Sequence, residues 1–566
     1  MTTPRIPKWA GIALLLILGF DLWWRCHTIG PTIRGALGFA PYPVVTGEAE
    51  PLDCDEAAYA YIGRGLVHGK VLYRDLSENK PPMGYWLYAL AVAIGGANET
   101  TIRLMALPYV LATIALVWWI GLRLRGPVAG CLAALGYAVL STDPYLYGNG
   151  SNMEHFLNLF TVGSLAAMVR AAGPADRRWI ILAGALVGAA SLVKQVAALD
   201  GPIYALTLLL IDRGEALEGG RWARKLKDLL ALAGGFAIVW AVAILVLWLQ
   251  GAGSAAYDDI VTYGSALATL KVPDPNAPSK LVRWITGNAD PQGRLPWPFD
   301  WMFGKTDYLV WWGTGSWPTW LASIPAVGWL LIRRDARRRL LAAWTICAWV
   351  QVAAPGLFWA HYYLLPTPGL SLCLAVAFID AGQAFRTAWR PFRFGRLIVS
   401  TTAILAFLAA GAWTARLQVR DYLMVAPEDL TSRFKGGYQW VVLRDMGRDL
   451  ARRTSEIPDA KLYVWGWQSP LLIYSGLDSP TRHFFADPLL EDYSRGLHRD
   501  DPRVRPRVER IMKDLEADPP TLAFVAYPPF PELRKFLEAR YVRSPLGGID
   551  VSQAGGLGLW VLRRSM

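Results

Sequence analysis

Apolar stretches of membrane-spanning length recur along the first 416 residues of this chain, and they constrain the fold more than any other feature. A hydrocarbon core about 30 Å thick takes roughly 20 helical residues at about 1.5 Å each. In lipid every backbone polar group must be satisfied internally, so such stretches read as α-helices. They run from about Trp9 to Trp24, Thr101 to Leu122, Pro127 to Leu140, Met153 to Met168, Trp179 to Val193 and Val196 to Ile211. Others run from about Leu229 to Leu249, Trp311 to Ile332, Leu340 to Ala354, Tyr362 to Ile379 and Leu397 to Trp413. About eleven spans follow, the shorter ones extending into flanking polar residues. The first stretch, flanked by Arg5, Lys8 and Arg25, also resembles a signal peptide. No clear A-x-A site follows it, which favours an uncleaved span. With 54% hydrophobic and 18% charged residues the chain is neither disordered nor an ordinary soluble enzyme.

A formal net charge of +12 raises the question of a nucleic-acid partner until the charges are placed. With the N-terminus inside, alternate connections should be cytoplasmic and rich in Lys and Arg. These inner segments hold 21 basic residues, among them Arg123, Arg125, Arg177, Arg178 and the run Arg333 to Arg339, against seven acids. The short outer connections near 141–153, 194–200 and 355–361 hold only Lys194. The excess is therefore an orientation signal confined to the inner rim, and no nucleic-acid partner is expected. An odd number of spans leaves the C-terminal segment outside.

The apolar stretch Gly84–Gly96 is too short to cross alone, at roughly 20 Å, and reads as a juxtamembrane or re-entrant helix. Long outer loops are expected at about residues 25–100 and 250–306, the second rich in Pro, Gly and Trp and read as irregular. The division is thus a membrane domain over residues 1–416 and a small extracytoplasmic domain over 417–566. In the latter, helix-like stretches (Tyr438–Arg453, Arg503–Leu515, Pro531–Ala539) alternate with strand-like ones (Lys461–Trp465, Thr521–Ala526, Leu557–Leu562), which predicts an α/β domain. No long internal repeat supports an inverted-repeat transporter.

The richest local signal is Asp53-Cys54-Asp55-Glu56-Ala57-Ala58-Tyr59, followed by Leu72-Tyr73-Arg74-Asp75 and Glu78-Asn79-Lys80-Pro81-Pro82. A carboxylate held near a substrate hydroxyl can act as a general base. An acidic loop in solvent would carry the same residues, but this one sets two carboxylates and a lysine next to apolar helices. The Lys-Pro-Pro corner would aim Lys80 at the interface, where a fixed cation can hold a lipid phosphate. At the same outer level lie Arg103, Glu154 after Asn149, Ser151 and Asn152, Lys194-Gln195, and His361-Tyr362-Tyr363. Ionisable groups beside apolar segments are expensive and are either paired or functional. Their shared outer face favours one common site.

The pattern Asp55-Glu56-x-x-Tyr59-x-Tyr61, Gly69-x-x-x-Tyr73-x-Asp75 and Lys80-Pro81-Pro82 resembles the first outer loop of GT-C glycosyltransferases. It is similar to their polyprenyl-phosphate-sugar-dependent branch, which includes the protein O-mannosyltransferases and the lipid A aminoarabinose transferases. Asn152-Met153-Glu154, Leu192-Val193-Lys194-Gln195 and His361-Tyr362 with Pro366 match further landmarks. So does the stretch Tyr463 to Trp467 with Pro470, Tyr474-Ser475-Gly476 and Thr481-Arg482. The resemblance covers most of the chain.

It implies an α-helical polytopic GT-C protein that moves a hexose or pentose from a polyprenyl-phosphate sugar to a hydroxyl on the outer face of a bacterial inner membrane. By carry-over, Asp55 is the base and Glu56 its rival. Glu154 would orient acceptor or sugar. Lys80 leads the candidates for the departing phosphate, with Arg103, Lys194, His361 and Tyr362 as further binding residues. Inversion at the anomeric carbon follows from a single displacement. No cofactor is expected beyond the lipid-linked donor. Some relatives place a metal-coordinating acid just before the Lys-Pro corner, but here that residue is Asn79, so no metal is assigned, although Glu78 stands beside it. The acceptor is a cell-envelope glycan, a lipid or a protein. The rival reading from another class is a flippase for the same lipid-linked sugar. Cys26 and Cys54, both expected outside, could pair in an oxidising compartment. Trp311, Trp312, Trp317 and Trp320 read as an interfacial belt.

Overall fold

The computed structural model describes residues 6–29, 49–172, 176–210, 221–270, 315–355, 359–389, 393–435, 437, 439–544 and 558–562. Trp311 and Trp312 lie outside them, as does most of the second long loop. The chain is mostly helical, and the described parts of all eleven apolar stretches coincide with helical segments. Among the described residues five helices are both long and apolar enough to cross a bilayer: Lys8–Thr28, Glu99–Arg125, Trp222–Leu249, Ala360–Trp389 and Phe394–Leu423. Met153–Ala171, Arg177–Val193, Trp317–Leu331 and Ala336–Ala353 are also helical. Met83–Gly95, Pro127–Leu140 and Gln195–Leu210 are shorter apolar helices.

Two compact units divide the chain. The first comprises Met1–Glu48, Arg103–Val242 and Asn276–Leu430. Its core gathers Val110, Ile114, Val117, Tyr137, Val162, Leu165, Val187, Leu341, Trp344 and Leu372 from several helices. Without a hydrophobic drive between helices in lipid, close packing relies on small residues. Gly184 and Gly235 illustrate the point. A Cβ on Gly184 would lie 2.0 Å from the Leu232 carbonyl oxygen, and one on Gly235 2.1 Å from that of Ile181. At one end of this unit Asp380 accepts from Arg125 Nε at 2.5 Å, Arg338 Nη1 at 2.8 Å and Trp329 Nε1 at 2.9 Å. Arg177 reaches Asp228 at 2.9 Å. Trp320 departs from the interfacial reading: it is 1% exposed and packs edge-on against Trp349 and Tyr363.

The second unit comprises Ala49–Ile102, Ala243–Pro275 and Thr431–Met566. It crosses the linear division expected at residue 416, because the first loop segment folds onto the C-terminal residues. Arg64 and Lys70 share Asp478, the Ser479 N–H donates to the Tyr61 hydroxyl at 2.8 Å, and Ser469 donates to the Cys54 carbonyl at 2.5 Å. The segment read as irregular begins with helical turns, Gly253–Tyr257, Asp258–Tyr263 and Gly264–Thr269. Four short strands, β1 (Leu462–Trp465), β2 (Leu522–Val525), β3 (Tyr541–Ser544) and β4 (Gly558–Leu562), form a sheet ordered β1-β2-β4-β3. β1 and β2 are parallel, and the other two pairings are antiparallel. The helix Arg505–Ala517 contributes Val508, Ile511 and Leu515, spaced on one helical face, to a core with Tyr463, Trp465, Phe530 and Trp560.

All five cysteines are free thiols in the structure.

His483, near the sheet, is buried beside several arginines. Burial, then the charges of Arg507, Arg482 and Arg510, holds its pKa well below the usual 6.5. The unfolded chain therefore binds a proton in acid that the folded one refuses. Stability is present above about pH 6.5 and falls by up to about 1.4 kcal/mol per unit below it. Melting curves of wild type and His483→Gln between pH 7 and 5.5 should diverge, with the shallower slope in the variant. Identical slopes would refute the assignment.

Candidate functional site

In the second unit, Asp53 caps the helix Cys54–Val67. Its Oδ1 accepts the Glu56 N–H at 3.0 Å, and Glu56 Oε2 accepts the Asp53 N–H at 3.4 Å. This reciprocal box satisfies two of the donors that a helix start leaves open. Lys435 then brings its ammonium 3.1 Å from Glu50, 3.7 Å from Asp53 and 3.9 Å from Glu56, with all four side chains buried. Glu56 is thus engaged twice and shielded from solvent. Asp55, in the same first turn, is only partly buried. The positive end of the helix dipole favours a carboxylate there.

Lys80 is also half-buried. Its ammonium lies 3.5 Å from Glu78 Oε1 and 5.2 Å from the centre of the Tyr59 ring. The Tyr73 hydroxyl donates to the Lys80 carbonyl at 2.7 Å, reaching it from a left-handed backbone with φ 64°. Pro81 and Pro82 then start the helix Met83–Gly95, and its Tyr85 ring packs edge-on to Tyr59. Burial, followed by the charges of Glu78, Tyr73 and Asp55, pushes the Tyr85 hydroxyl well above its ordinary pKa. The charges of Asp55 and Glu78 thus act on Tyr85, while Lys80 faces its partner ring Tyr59. The unit offers a partly exposed carboxylate and a cation that faces an aromatic ring.

The first unit holds the other candidates. Glu154 opens the helix Met153–Ala171 and accepts from Lys194 at 2.6 Å, both side chains being buried. The Lys194 ammonium also lies 3.4 Å over the Tyr362 ring, whose other neighbour is the edge-on His361 ring at 4.8 Å. Arg103 donates to the Asn149 carbonyl at 3.1 Å. Asn152 donates to the Tyr147 carbonyl at 2.7 Å, and His155 Nε2 lies 2.9 Å from that of Gly148. His361 in turn lies near the Tyr147 ring. Three separate stretches are thus drawn around the turn 147–155.

Among the described residues, no group of three or more His, Cys, Asp or Glu is arranged to hold a metal ion. Lys435, which organises the start of the Asp55 helix, carried no signal in the sequence. It lies beyond all the motifs of the first loop.

Residues 79–248 match the family described as dolichyl-phosphate-mannose-protein mannosyltransferase. Over 226 residues the chain is 29% identical to an undecaprenyl phosphate-alpha-4-amino-4-deoxy-L-arabinose arabinosyl transferase of Erwinia tasmaniensis. That match spans 38% of each chain. The crystal structure of ArnT from Cupriavidus metallidurans bound to undecaprenyl phosphate aligns with a TM-score of 0.50 at 17% identity, covering 94% of this chain and 96% of that one. The apo oligosaccharyltransferase of Archaeoglobus fulgidus gives 0.50 at 12% identity, over 91% and 69%. The fold is that of the GT-C glycosyltransferases.

Proposed function

We propose that this chain is an inverting GT-C glycosyltransferase. It transfers a sugar from a polyprenyl-phosphate carrier to a hydroxyl of a cell-envelope glycan, lipid or protein at the extracytoplasmic face of a bacterial inner membrane. The observation that carries the reading is the division of labour at the first turn of Cys54–Val67. Asp53 and Glu56 are committed to the cap and to Lys435, while Asp55 stays partly exposed in the same turn.

In this reaction Asp55 takes the proton of the acceptor hydroxyl as that oxygen attacks the anomeric carbon. The bond from that carbon to the phosphate oxygen breaks, and the electron pair leaves on the polyprenyl phosphate. A single displacement inverts the centre. Lys80 faces the negative charge the phosphodiester already carries and the further charge that develops as the bond breaks, and only the increase accelerates the step. Glu154 is assigned to orienting acceptor or sugar, and Lys194, Arg103, His361 and Tyr362 to anionic or ring contacts. The match to the arabinosyl transferase and the likeness to a structure holding undecaprenyl phosphate support a lipid-phosphate donor.

The test is purified protein given a panel of polyprenyl-phosphate sugars and candidate acceptors. Wild type should release polyprenyl phosphate in step with transfer. Lys80→Ala should lower kcat on the order of 10²- to 10³-fold. Lipid movement between leaflets without glycosyl transfer would replace the reading with a flippase.

The topology is part of the proposal: eleven crossings, the N-terminus cytoplasmic, and an α/β domain over residues 417–566 in the periplasm. The pairing of Arg125 and Arg338 with Asp380, and of Arg177 with Asp228, supports it. Each pairing joins connections assigned to the same side. A phosphatase reporter fused after Met566, which works only when exported, should be active, and an inactive fusion would overturn the crossing number.

A further inference from the structure

Ser77 lies three residues before Lys80, in no helix or strand, so its own segment does not fix it. Three remote groups do. Its backbone N–H donates to the Arg482 carbonyl at 3.0 Å. Its hydroxyl donates to Asp259 Oδ2 at 3.0 Å and accepts from Arg507 Nη1 at 3.0 Å.

Asp259 sits in the widened turn Asp258–Tyr263 and is wholly buried. Arg482 Nη2 donates to both of its oxygens at 2.6 Å, and Arg507 Nη2 donates to Oδ1 at 2.5 Å. The Arg507 guanidinium stacks 3.5 Å from the centre of the Tyr263 ring. Burying a carboxylate between two guanidiniums carries a large desolvation cost, and apolar side chains of the same volume often stabilise a fold at least as well. Stability alone therefore does not account for the cluster. What it determines is the place of one hydroxyl and the backbone beside it. The next residues are the Glu78–Lys80 corner, where the Asn79 N–H donates to Glu78 Oε1 at 2.8 Å and the same oxygen faces the Lys80 ammonium.

We propose that Asp259, Arg482 and Arg507 form a positioning device that anchors Ser77 and thereby sets the reach of Lys80 toward the donor phosphate. The proposal rests on the phosphate role assigned to Lys80 above. None of the three touches substrate; they act through the corner. Reacting groups must be held to a fraction of an ångström, and a displacement of about 1 Å can cost on the order of 100-fold in rate.

Ser77→Ala removes the hydroxyl and leaves every ion pair in place. As a second variant, Arg507→Lys keeps a cation beside Asp259 while losing the fork that also reaches Ser77. In the full-length protein each should lower kcat on the order of 10- to 100-fold with little change in KM for the acceptor. In a Lys80→Ala background the Ser77 substitution should cost nothing further, because both changes act through one ammonium. Hydrogen exchange gives a readout free of turnover. The amides of Glu78, Asn79 and Lys80 should exchange on the order of 10-fold faster in both variants, with the β1–β4 amides unchanged.

Losses that multiply in the double variant, or corner amides that exchange as in wild type, overturn the proposal. If wild type transfers no sugar, the enzymatic reading fails by itself, and the exchange result still decides whether the anchor exists. If transfer occurs but Lys80→Ala is fully active, the phosphate role falls and this proposal falls with it.

Discussion

Asp55→Asn should abolish most turnover while leaving the protein folded. The substitution preserves shape and removes the group that accepts the acceptor proton. A loss of about 10²- to 10⁴-fold in kcat is the usual size for a positioned general base. The structure separates this carboxylate from its neighbour. Glu56 is buried, bonds back to the Asp53 N–H and faces Lys435, whereas Asp55 is partly open. Glu56→Gln should therefore act in the opposite sense, lowering the melting temperature more than it lowers the rate per folded molecule. Single-turnover transfer measured beside melting curves for both variants decides the matter. An Asp55→Asn enzyme with wild-type kcat would remove the base from the mechanism, and a Glu56→Gln enzyme that is stable but inactive would hand Glu56 the role.

Lys435→Met should produce the largest loss of stability. It removes the ammonium that faces Glu50, Asp53 and Glu56 and leaves three buried carboxylates facing one another. Breaking a buried ion pair from one side costs about 3–5 kcal/mol, since the remaining charge keeps its desolvation cost and loses its partner. For a unit of this size that corresponds to a drop of about 6–20 °C in melting temperature. Glu50 also accepts from Thr431 at 2.9 Å, so the damage spreads to the helix Pro427–Phe434. Adding Glu50→Gln should recover part of the loss by reducing the uncompensated charge. A Lys435→Met protein melting within ~2 °C of wild type would show that the cluster contributes little.

What the sequence made legible follows its local physics. Hydropathy places the membrane-length helices because each one is signalled within its own residues. Leu229–Leu249 and Leu397–Trp413 both lie within helices that extend into their polar flanks. The strands β1, β2 and β4 were visible for the same reason. β3 was not, since it begins where the helix Pro531–Arg540 ends, has no turn residues before it, and exposes Val542 and Arg543. The turns of 253–269 were hidden by the Pro- and Gly-rich sequence that follows. The belt pattern does not say which side of a helix faces its neighbours, and Trp320 turns inward.

The candidate site divides similarly. Asp55, Lys80, Glu154 and Lys194 stand in local motifs and could be named. Lys435, Asp259 and Arg507 acquire meaning only from partners hundreds of residues away, and no window of sequence reveals that. Nor could composition show that Glu56 would be consumed by a helix cap.

The second unit draws its residues from both ends of the chain, and this has a consequence in time. At a synthesis rate of about 5–20 residues per second, the carboxylates of Glu50, Asp53 and Glu56 emerge roughly 20 to 80 s before Lys435 is made. Throughout that interval they have no ammonium to face, and water must solvate them. The Asp55 turn therefore matures last, after the helices that precede Lys435 have been synthesised. A nascent chain halted before that lysine would carry those apolar helices and lack the finished turn, which makes the final quarter of the message the step that commits the protein to activity.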